Sequence, residues 1–182
     1  MPASADDHHL AGKPLQFLLF YQVLEYFFLT ISDERLQRLT KRVSDPRFST
    51  EAKSLDRVIQ DVIEHKRTTD ETEMLKLVLE RYVDETELME FIKAYEAYLK
   101  EPYYTKRRRR FGVDAEVKLA PGHLFGNVAK VVKTVRNALV HSSDFHERVE
   151  RHVPFSEGTR LVELEVPLLQ FLAERVIIAS SK

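Results

Sequence analysis

The sequence predicts an all-α protein, an antiparallel helical bundle with one short two-stranded β-ribbon. Three observations support this fold class. Glycine is rare, at 5 of 182 residues. Apolar residues recur mostly at the three- and four-residue spacing of a helix face, and the alternation typical of strands is confined to two short stretches. Hydrophobic residues make up 43% of the chain, which is enough for a sizeable core.

The composition limits the classes of function. Lys and Arg number 28 and Asp and Glu number 29, so the whole chain does not attract nucleic acid and any such role requires a local patch. Cysteine is absent, which excludes disulfides and thiolate metal sites. The N-terminus is acidic and polar, unlike a signal peptide, and no uninterrupted apolar run reaches about 18 residues. We therefore expect a soluble, cytoplasmic protein without a membrane partner.

The chain divides into a disordered tail, 1–13, and one helical domain, 14–182. The tail contains His8 and His9, which lack supporting ligands and are read as solvated. The first helix is expected to run from Pro14 to about Thr30, and to be buried because it is apolar nearly all round.

Glu25 is an isolated charge in this apolar helix, and a buried carboxylate needs a partner. Two partners remain open. One is any arginine of the fold, and the other is Arg136, which Glu25 would then orient.

The remaining elements follow from caps, breaks and periodicity. The further helices are expected from Ser32–Asp33 to before Asp45, from about 49 to 65, from Asp70, from Asp84 to before Pro102, and from Pro167. Asp70 and Asp84 are expected to be N-caps. The two alternating stretches, Val113–Leu119 and Leu161–Val166, are expected to pair with each other as the ribbon.

Residues 102–112 are predicted to form an inserted basic surface loop, because the run KRRRR at 106–110 consists of mutually repelling cations. One interpretation is a solvated loop that keeps the protein soluble. The other is an RNA-binding loop in which arginines contact phosphates and neighbouring rings stack on bases. The arginines are Arg107, Arg108, Arg109 and Arg110, and the rings are those of Tyr103, Tyr104 and Phe111.

The stretch VAKVVKTVRNALVHSS at 128–143 has the strongest pattern. Its valines and Leu139 form one apolar helix face, while Lys133, Asn137 and His141 lie on the opposite face. The final turns therefore combine Arg136 with Asn137 and His141. A guanidinium, an amide and an imidazole suit the binding and cleavage of a phosphodiester. Alternatively, these groups only stabilise a helix C-terminus.

Arg136-Asn137-Ala138-Leu139-Val140-His141 resembles the RN-x-x-x-H form of the HEPN motif. The motif lies in the penultimate long helix, and the chain begins with a buried aromatic helix, YQVLEYFF, as in HEPN domains. The resemblance implies a metal-independent endoribonuclease without a cofactor, whose site forms at a homodimer interface. It also implies a toxin or phage-defence effector, with a cognate antitoxin or regulatory protein as a partner.

The resemblance assigns roles to the motif residues. His141 would act as base or acid around the 2′-OH of RNA. Arg136 would bind the phosphate, Asn137 would orient His141 or donate to the phosphate, and Lys133 would add an RNA contact. A zinc-binding helix of the metalloprotease type needs two histidines four residues apart. In HERVERH at 146–152 the position four residues after His146 is Glu150, so this segment is not interpreted as a metal site. The alternative function is a non-catalytic HEPN-like module that binds RNA, a nucleotide or a protein.

Overall fold

The computed structural model describes residues 12–45, 56, 58–60, 62, 70–140 and 157–181. These residues form a mainly helical protein with one two-stranded antiparallel sheet, which confirms the predicted fold class. In chain order the elements are α1 Lys13–Val43, α2 Glu71–Tyr82, α3 Glu85–Leu99, β1 Arg108–Arg110, β2 Val113–Ala115, α4 Leu124–Val140 and α5 Glu157–Ser180. Most of the predicted tail and most of the predicted helix at 49–65 lie outside the described residues.

Helix α1 is a single helix of 31 residues, so the predicted break near Ser32 is wrong. A serine and an aspartate inside a long helix cost only tenths of a kcal/mol each (about 0.5), and neither side chain here is buried. The helix buries one face, formed by Phe17, Tyr21, Leu24 and Ile31. Its opposite face is exposed, which corrects the expectation of burial all round.

An 18-residue window of α1 has a mean hydropathy of 1.3, so by length and composition alone this helix is able to cross a membrane. Because the window also contains polar residues, it is not an uninterrupted apolar run. The core helix of a soluble protein has the same length and composition. In the described structure α1 packs most extensively against α5 and then against α2.

Helices α2 and α3 begin at the predicted caps. The Asp70 carboxylate accepts a hydrogen bond from the Thr72 backbone N–H at 3.0 Å, and Asp84 accepts one from Glu87 at 2.9 Å. Each bond satisfies one of the unpaired N–H groups of a helix start. Because caps are local features, both were predictable from the sequence.

The predicted pairing of Val113–Leu119 with Leu161–Val166 is wrong. Strand β2 pairs with β1 as a hairpin, with Arg110 opposite Val113. Phe111 and Gly112 form the two-residue turn and both have positive φ, 43° and 82°, as a type I′ turn requires. Leu161–Val166 lies inside α5, since Val162, Val166 and Leu169 also fit helical spacing and are all buried.

Helix α5 does not begin at Pro167 but contains it. A proline inside a helix removes one backbone hydrogen bond and weakens the preceding turn. Here the Tyr95 hydroxyl of α3 donates to the Leu164 carbonyl in that turn, at 2.9 Å. This bond gives the turn a partner from another helix.

Helix α4 buries the predicted valine face and packs mainly against α2. The buried members of this face are Val128, Val131, Val132, Val135 and Ala138. This packing places the last turns of α4 beside the first turn of α2.

Candidate active site

The guanidinium of Arg136 lies between α1 and the start of α2. Its Nε is 3.3 Å from Oε1 of Glu71, and its central carbon is 5.7 Å from the centre of the Tyr21 ring. The side chains of Arg136 and Glu71 are 21% and 24% exposed. Arg136 is therefore held in place by an ion pair and a cation–π contact, with part of its surface open to solvent.

Tyr21 supports this ion pair from the core face of α1. Its hydroxyl donates to the same Glu71 Oε1 at 2.6 Å. Burial, followed by the hydrogen bond and charge of Glu71, raises the pKa of Tyr21 far above its usual range, and Arg136 partly opposes this shift. Tyr21 therefore stays a neutral donor.

Asn137 lies beside Arg136 and shares a hydrogen bond with it. The Asn137 Oδ1 accepts from Arg136 Nη1 at 3.3 Å. Arg136 thus directs Nε to Glu71 and Nη1 to Asn137, while Nη2 has no hydrogen-bond partner among the described residues. A guanidinium presents five donors in one plane, and no described residue bonds the Nη2 donors of Arg136.

Lys133, one turn before Arg136, is also paired. Its Nζ lies 2.8 Å from Oδ1 of Asp70. This bond, together with the Thr72 backbone N–H, holds the pKa of Asp70 below its usual range. Lys133 and Arg136 of α4 therefore face two consecutive acids at the start of α2. An RNA phosphate would have to compete with Asp70 for Lys133.

The expected contact between Glu25 and Arg136 is absent from the described structure. Glu25 is exposed on α1, and Glu71 is the carboxylate beside Arg136. Glu25 still contributes, after larger effects, to the raised pKa of Tyr21. Sequence reasoning missed Glu71 because it is distant from Arg136 along the chain. The available signal was Tyr21, a hydroxyl on an otherwise apolar face that needs a buried partner.

His141 directly follows the last described residue of α4 and lies outside the described residues. The described geometry therefore covers Arg136 and Asn137 of the predicted catalytic set.

The basic run at 106–110 does not form the predicted loop. Arg108 to Arg110 form β1, and Arg110 is fully buried, so its assignment to an RNA-binding surface is wrong. Arg108 lies over the Tyr103 ring, 4.6 Å from its centre, and pairs with Glu101 at 2.9 Å. The structure leaves Arg107, which pairs with Asp114 at 3.0 Å, and Arg109 on the surface.

The aromatic neighbours of the run are buried as well. Tyr103 and Tyr104 have no exposed surface and Phe111 is 8% exposed, so none of the three rings is placed to stack on a base. For Arg110 the prediction failed because a strand alternates its faces, and this alternation turned Arg110 inward while Arg109 faces outward.

Arg110 and the two tyrosines meet on one carboxylate, Glu165 of α5. Arg110 Nε lies 2.7 Å from Glu165 Oε1, and the hydroxyls of Tyr103 and Tyr104 donate to its two oxygens at 2.9 Å each. Arg110 Nη2 also donates to the Tyr103 carbonyl at 2.9 Å. This network, which we call the Glu165 cluster, attaches the hairpin to α5.

Within the part of the chain that the structure describes, no group of three or more His, Asp or Glu side chains is arranged to hold a metal ion. The tail histidines and the segment 146–152 lie outside that part.

Comparisons of this chain with protein families, with curated proteins and with solved structures find no significant match.

Proposed function

We propose that this protein is a metal-independent endoribonuclease of the HEPN type. It acts in the cytoplasm as a toxin or phage-defence effector, under the control of a cognate antitoxin or regulatory protein. The observation that carries the proposal is the set of contacts made by the Arg136 guanidinium. The guanidinium is fixed by Glu71 and Tyr21, is bonded to Asn137, and is followed by His141 five residues along the chain.

The proposed reaction uses the nucleophile that RNA carries. His141 takes the proton of the 2′-OH, whose oxygen attacks the adjacent phosphorus, and the bond to the 5′ oxygen breaks. A second His141, from the other copy of a homodimer, protonates the leaving oxygen. The products are a 2′,3′-cyclic phosphate and a 5′-hydroxyl.

Arg136 stabilises the phosphate as negative charge develops during the attack. Glu71 orients the guanidinium through Nε, and the Nη2 edge, which no described residue bonds, binds the phosphate. The motif supports a two-fold site, since residues five apart on a continuous helix are separated by roughly 140° at about 100° per residue. A single α4 helix would therefore not direct both groups at one phosphate.

The ion pair of Arg136 with Glu71 also favours the second candidate function. The four charges at this place, those of Asp70, Glu71, Lys133 and Arg136, pair with each other. A neutralised cluster of this kind suits a structural role. The second candidate is a non-catalytic HEPN-like module that binds RNA, a nucleotide or a protein.

Cleavage of RNA in excess EDTA separates the two functions. We expect the purified protein to cut RNA and to leave 2′,3′-cyclic phosphate ends, and His141→Ala to abolish cutting. Arg136→Lys keeps the charge but loses the planar fork, so we expect a cutting rate about 10 to 100-fold lower. Inert wild-type protein would favour the non-catalytic module. A fully active His141→Ala variant would overturn the catalytic role of His141.

RNA binding by the hairpin is a separate prediction for the two surface arginines. Replacing Arg107 and Arg109 with glutamine should weaken RNA binding and reduce the salt slope of the affinity by about 1 for each phosphate that an arginine neutralises. A matched control is Arg38→Gln with Lys41→Gln, two exposed cations of α1. Equal slopes for both double variants would assign the effect to net charge and reject a hairpin contact.

A further inference from the structure

The outer face of α1 is an exposed apolar surface opposite the core. Its large apolar side chains are between 48% and 72% exposed, although the helix also supplies fully buried residues to the core. These exposed side chains are Leu15, Leu19, Tyr26, Leu29, Leu36 and Val43. An apolar surface of this extent on a soluble protein indicates an interaction site.

The spacing of this surface is that of a coiled-coil seam. Along α1 the outward positions are separated alternately by four and three residues, over about four heptads. The seam comprises residues 15, 19, 22, 26, 29, 33, 36, 40 and 43, which we call the outer stripe. Three of its members are polar and exposed, namely Gln22, Asp33 and Thr40.

We propose that the outer stripe pairs with the outer stripe of a second copy of this chain, as an antiparallel two-helix seam. The proposal uses only α1 and does not rest on the ribonuclease activity. It names an interface on the face of α1 that lies away from the core.

The polar positions decide the occupant and its direction. In an antiparallel seam a-type positions face d-type positions of the partner. One register places Tyr26 opposite Leu29 of the partner copy and Leu19 opposite Leu36. The same register places the Gln22 amide opposite the Asp33 carboxylate, where it can donate a hydrogen bond, and Leu15 opposite Thr40.

A parallel seam is disfavoured by the same residues. It would set Asp33 against Asp33 of the partner copy, two like charges in close contact. It would also place each polar residue of the stripe opposite the same residue of the partner copy, so that Gln22 would not face Asp33. The outer stripe is therefore complementary to itself in one direction only, which argues for a second copy as the occupant.

The area available is sufficient for a reversible dimer. A half-exposed large apolar side chain offers on the order of 100 Å². The six side chains of the stripe would then bury roughly 1,200 Å² over both copies, which is at the lower end of specific interfaces. We therefore expect a dissociation constant in the micromolar range, about 1 to 100 μM.

Light scattering across protein concentration tests the interface. The wild-type mass should double as the concentration rises through the micromolar range, whether the copies start as monomers or are already paired through the proposed composite site. Tyr26→Glu with Leu29→Glu should raise the dissociation constant of this association at least about 100-fold. The matched control is Tyr98→Glu, which adds a charge at an exposed aromatic of α3 that is 79% exposed and should dimerise like wild type. Unchanged far-UV circular dichroism shows that each variant is folded.

Cysteine cross-linking tests the direction, since the chain contains no native cysteine. Mild oxidation of a mixture of Gln22→Cys protein and Asp33→Cys protein should give a cross-linked dimer, and neither variant should cross-link well alone. This readout uses single exposed positions and does not depend on the charged double variant being folded.

Three results would overturn the proposal. Strong self-cross-linking of Gln22→Cys protein would indicate a parallel seam, and dimerisation unaffected by the two glutamates would place the interface elsewhere. A wild-type chain that is monomeric at about 200 μM, above the expected range of dissociation constants, would leave the stripe to another occupant. If the double variant is then thermally destabilised, the occupant of the stripe is another segment of this chain. If the wild-type protein sediments with phosphatidylcholine–phosphatidylglycerol vesicles, the occupant is a membrane.

Discussion

Arg110 and Arg109 are neighbours in β1 with opposite environments. Arg110 is fully buried and its charge is balanced by Glu165, which also accepts hydrogen bonds from two tyrosines. Arg109 points to solvent. Removing one partner of a buried pair leaves the other charge without compensation, and this penalty exceeds the net contribution of the intact pair.

We therefore expect Arg110→Met to lower the free energy of unfolding by about 3 to 5 kcal/mol, because Glu165 stays buried without its cation. Arg109→Met removes the same charge at the surface and should change stability by less than about 0.5 kcal/mol. Urea denaturation of both variants measures the difference. Equal losses, or none, would show that the Glu165 cluster does not hold the hairpin on α5.

The burial of Arg110 and the exposure of Arg109 could not be predicted from the sequence of the run alone. Nothing in KRRRR distinguishes one arginine from the next until the strand is recognised, after which alternation separates Arg109 from Arg110. The buried acid that Arg110 needs lies 55 positions away. Arg136 and Glu71 present the same problem, since an ion pair between distant elements has no local pattern.

At the scale of elements, the N-caps of α2 and α3 differ in their contacts with the other described residues. Asp70 caps α2 through Thr72 and also pairs with Lys133 of α4, whereas Asp84 caps α3 through Glu87. Asp70 therefore links the start of one helix to the site-bearing helix. The two caps form a matched pair for measuring that link.

We expect Asp84→Ala to cost about 1 kcal/mol, the usual value for removal of a cap. Asp70→Ala should cost this amount and up to about 1 kcal/mol more, because an exposed ion pair is also removed. The excess should disappear in the Lys133→Ala background, as a double-mutant cycle would show. If the excess persists without Lys133, the additional stabilisation comes from another neighbour of Asp70.

The elements differ in how far the sequence determines them. The caps of α2 and α3 and the buried face of α4 were predicted, because each depends on residues within one or two turns. The continuity of α1 and the start of α5 were not, because packing overrode a weak helix former in one and a proline in the other. LVELEV at 161–166 fits both a strand and a helix, and only tertiary packing resolves such a short pattern.

At the scale of the whole molecule, three buried tyrosines and one partly buried tyrosine link separate elements of the fold. Tyr21 links α1 to α2, Tyr95 links α3 to α5, and Tyr103 and Tyr104 link the chain around the hairpin to α5. Burial, followed by the charge of Glu165, raises the pKa of Tyr95 to about 12 and that of Tyr103 and Tyr104 still further. All four hydroxyls are therefore held neutral by the folded state.

This arrangement predicts loss of stability at alkaline pH. In the unfolded chain a tyrosine has a pKa of about 10. Above that pH the unfolded chain has lost protons from these tyrosines that the folded protein still holds. Stability is then fully present below about pH 10 and falls as the pH rises toward the folded-state values, the lowest of which is about 12 for Tyr95. Each such tyrosine contributes a slope of about −1.4 kcal/mol per pH unit once the unfolded chain is fully ionised.

Urea denaturation between pH 8 and pH 11, followed together with tyrosinate absorbance at 295 nm, measures this slope. Most of the absorbance of Tyr21, Tyr95, Tyr103 and Tyr104 should appear with unfolding and not before it. Tyr103→Phe removes one titrating group, so its stability should fall less steeply with pH than that of wild type, by about 1.4 kcal/mol per unit. A free energy of unfolding that stays constant from pH 9 to pH 11 would show that the folded protein ionises these tyrosines as readily as the unfolded chain does.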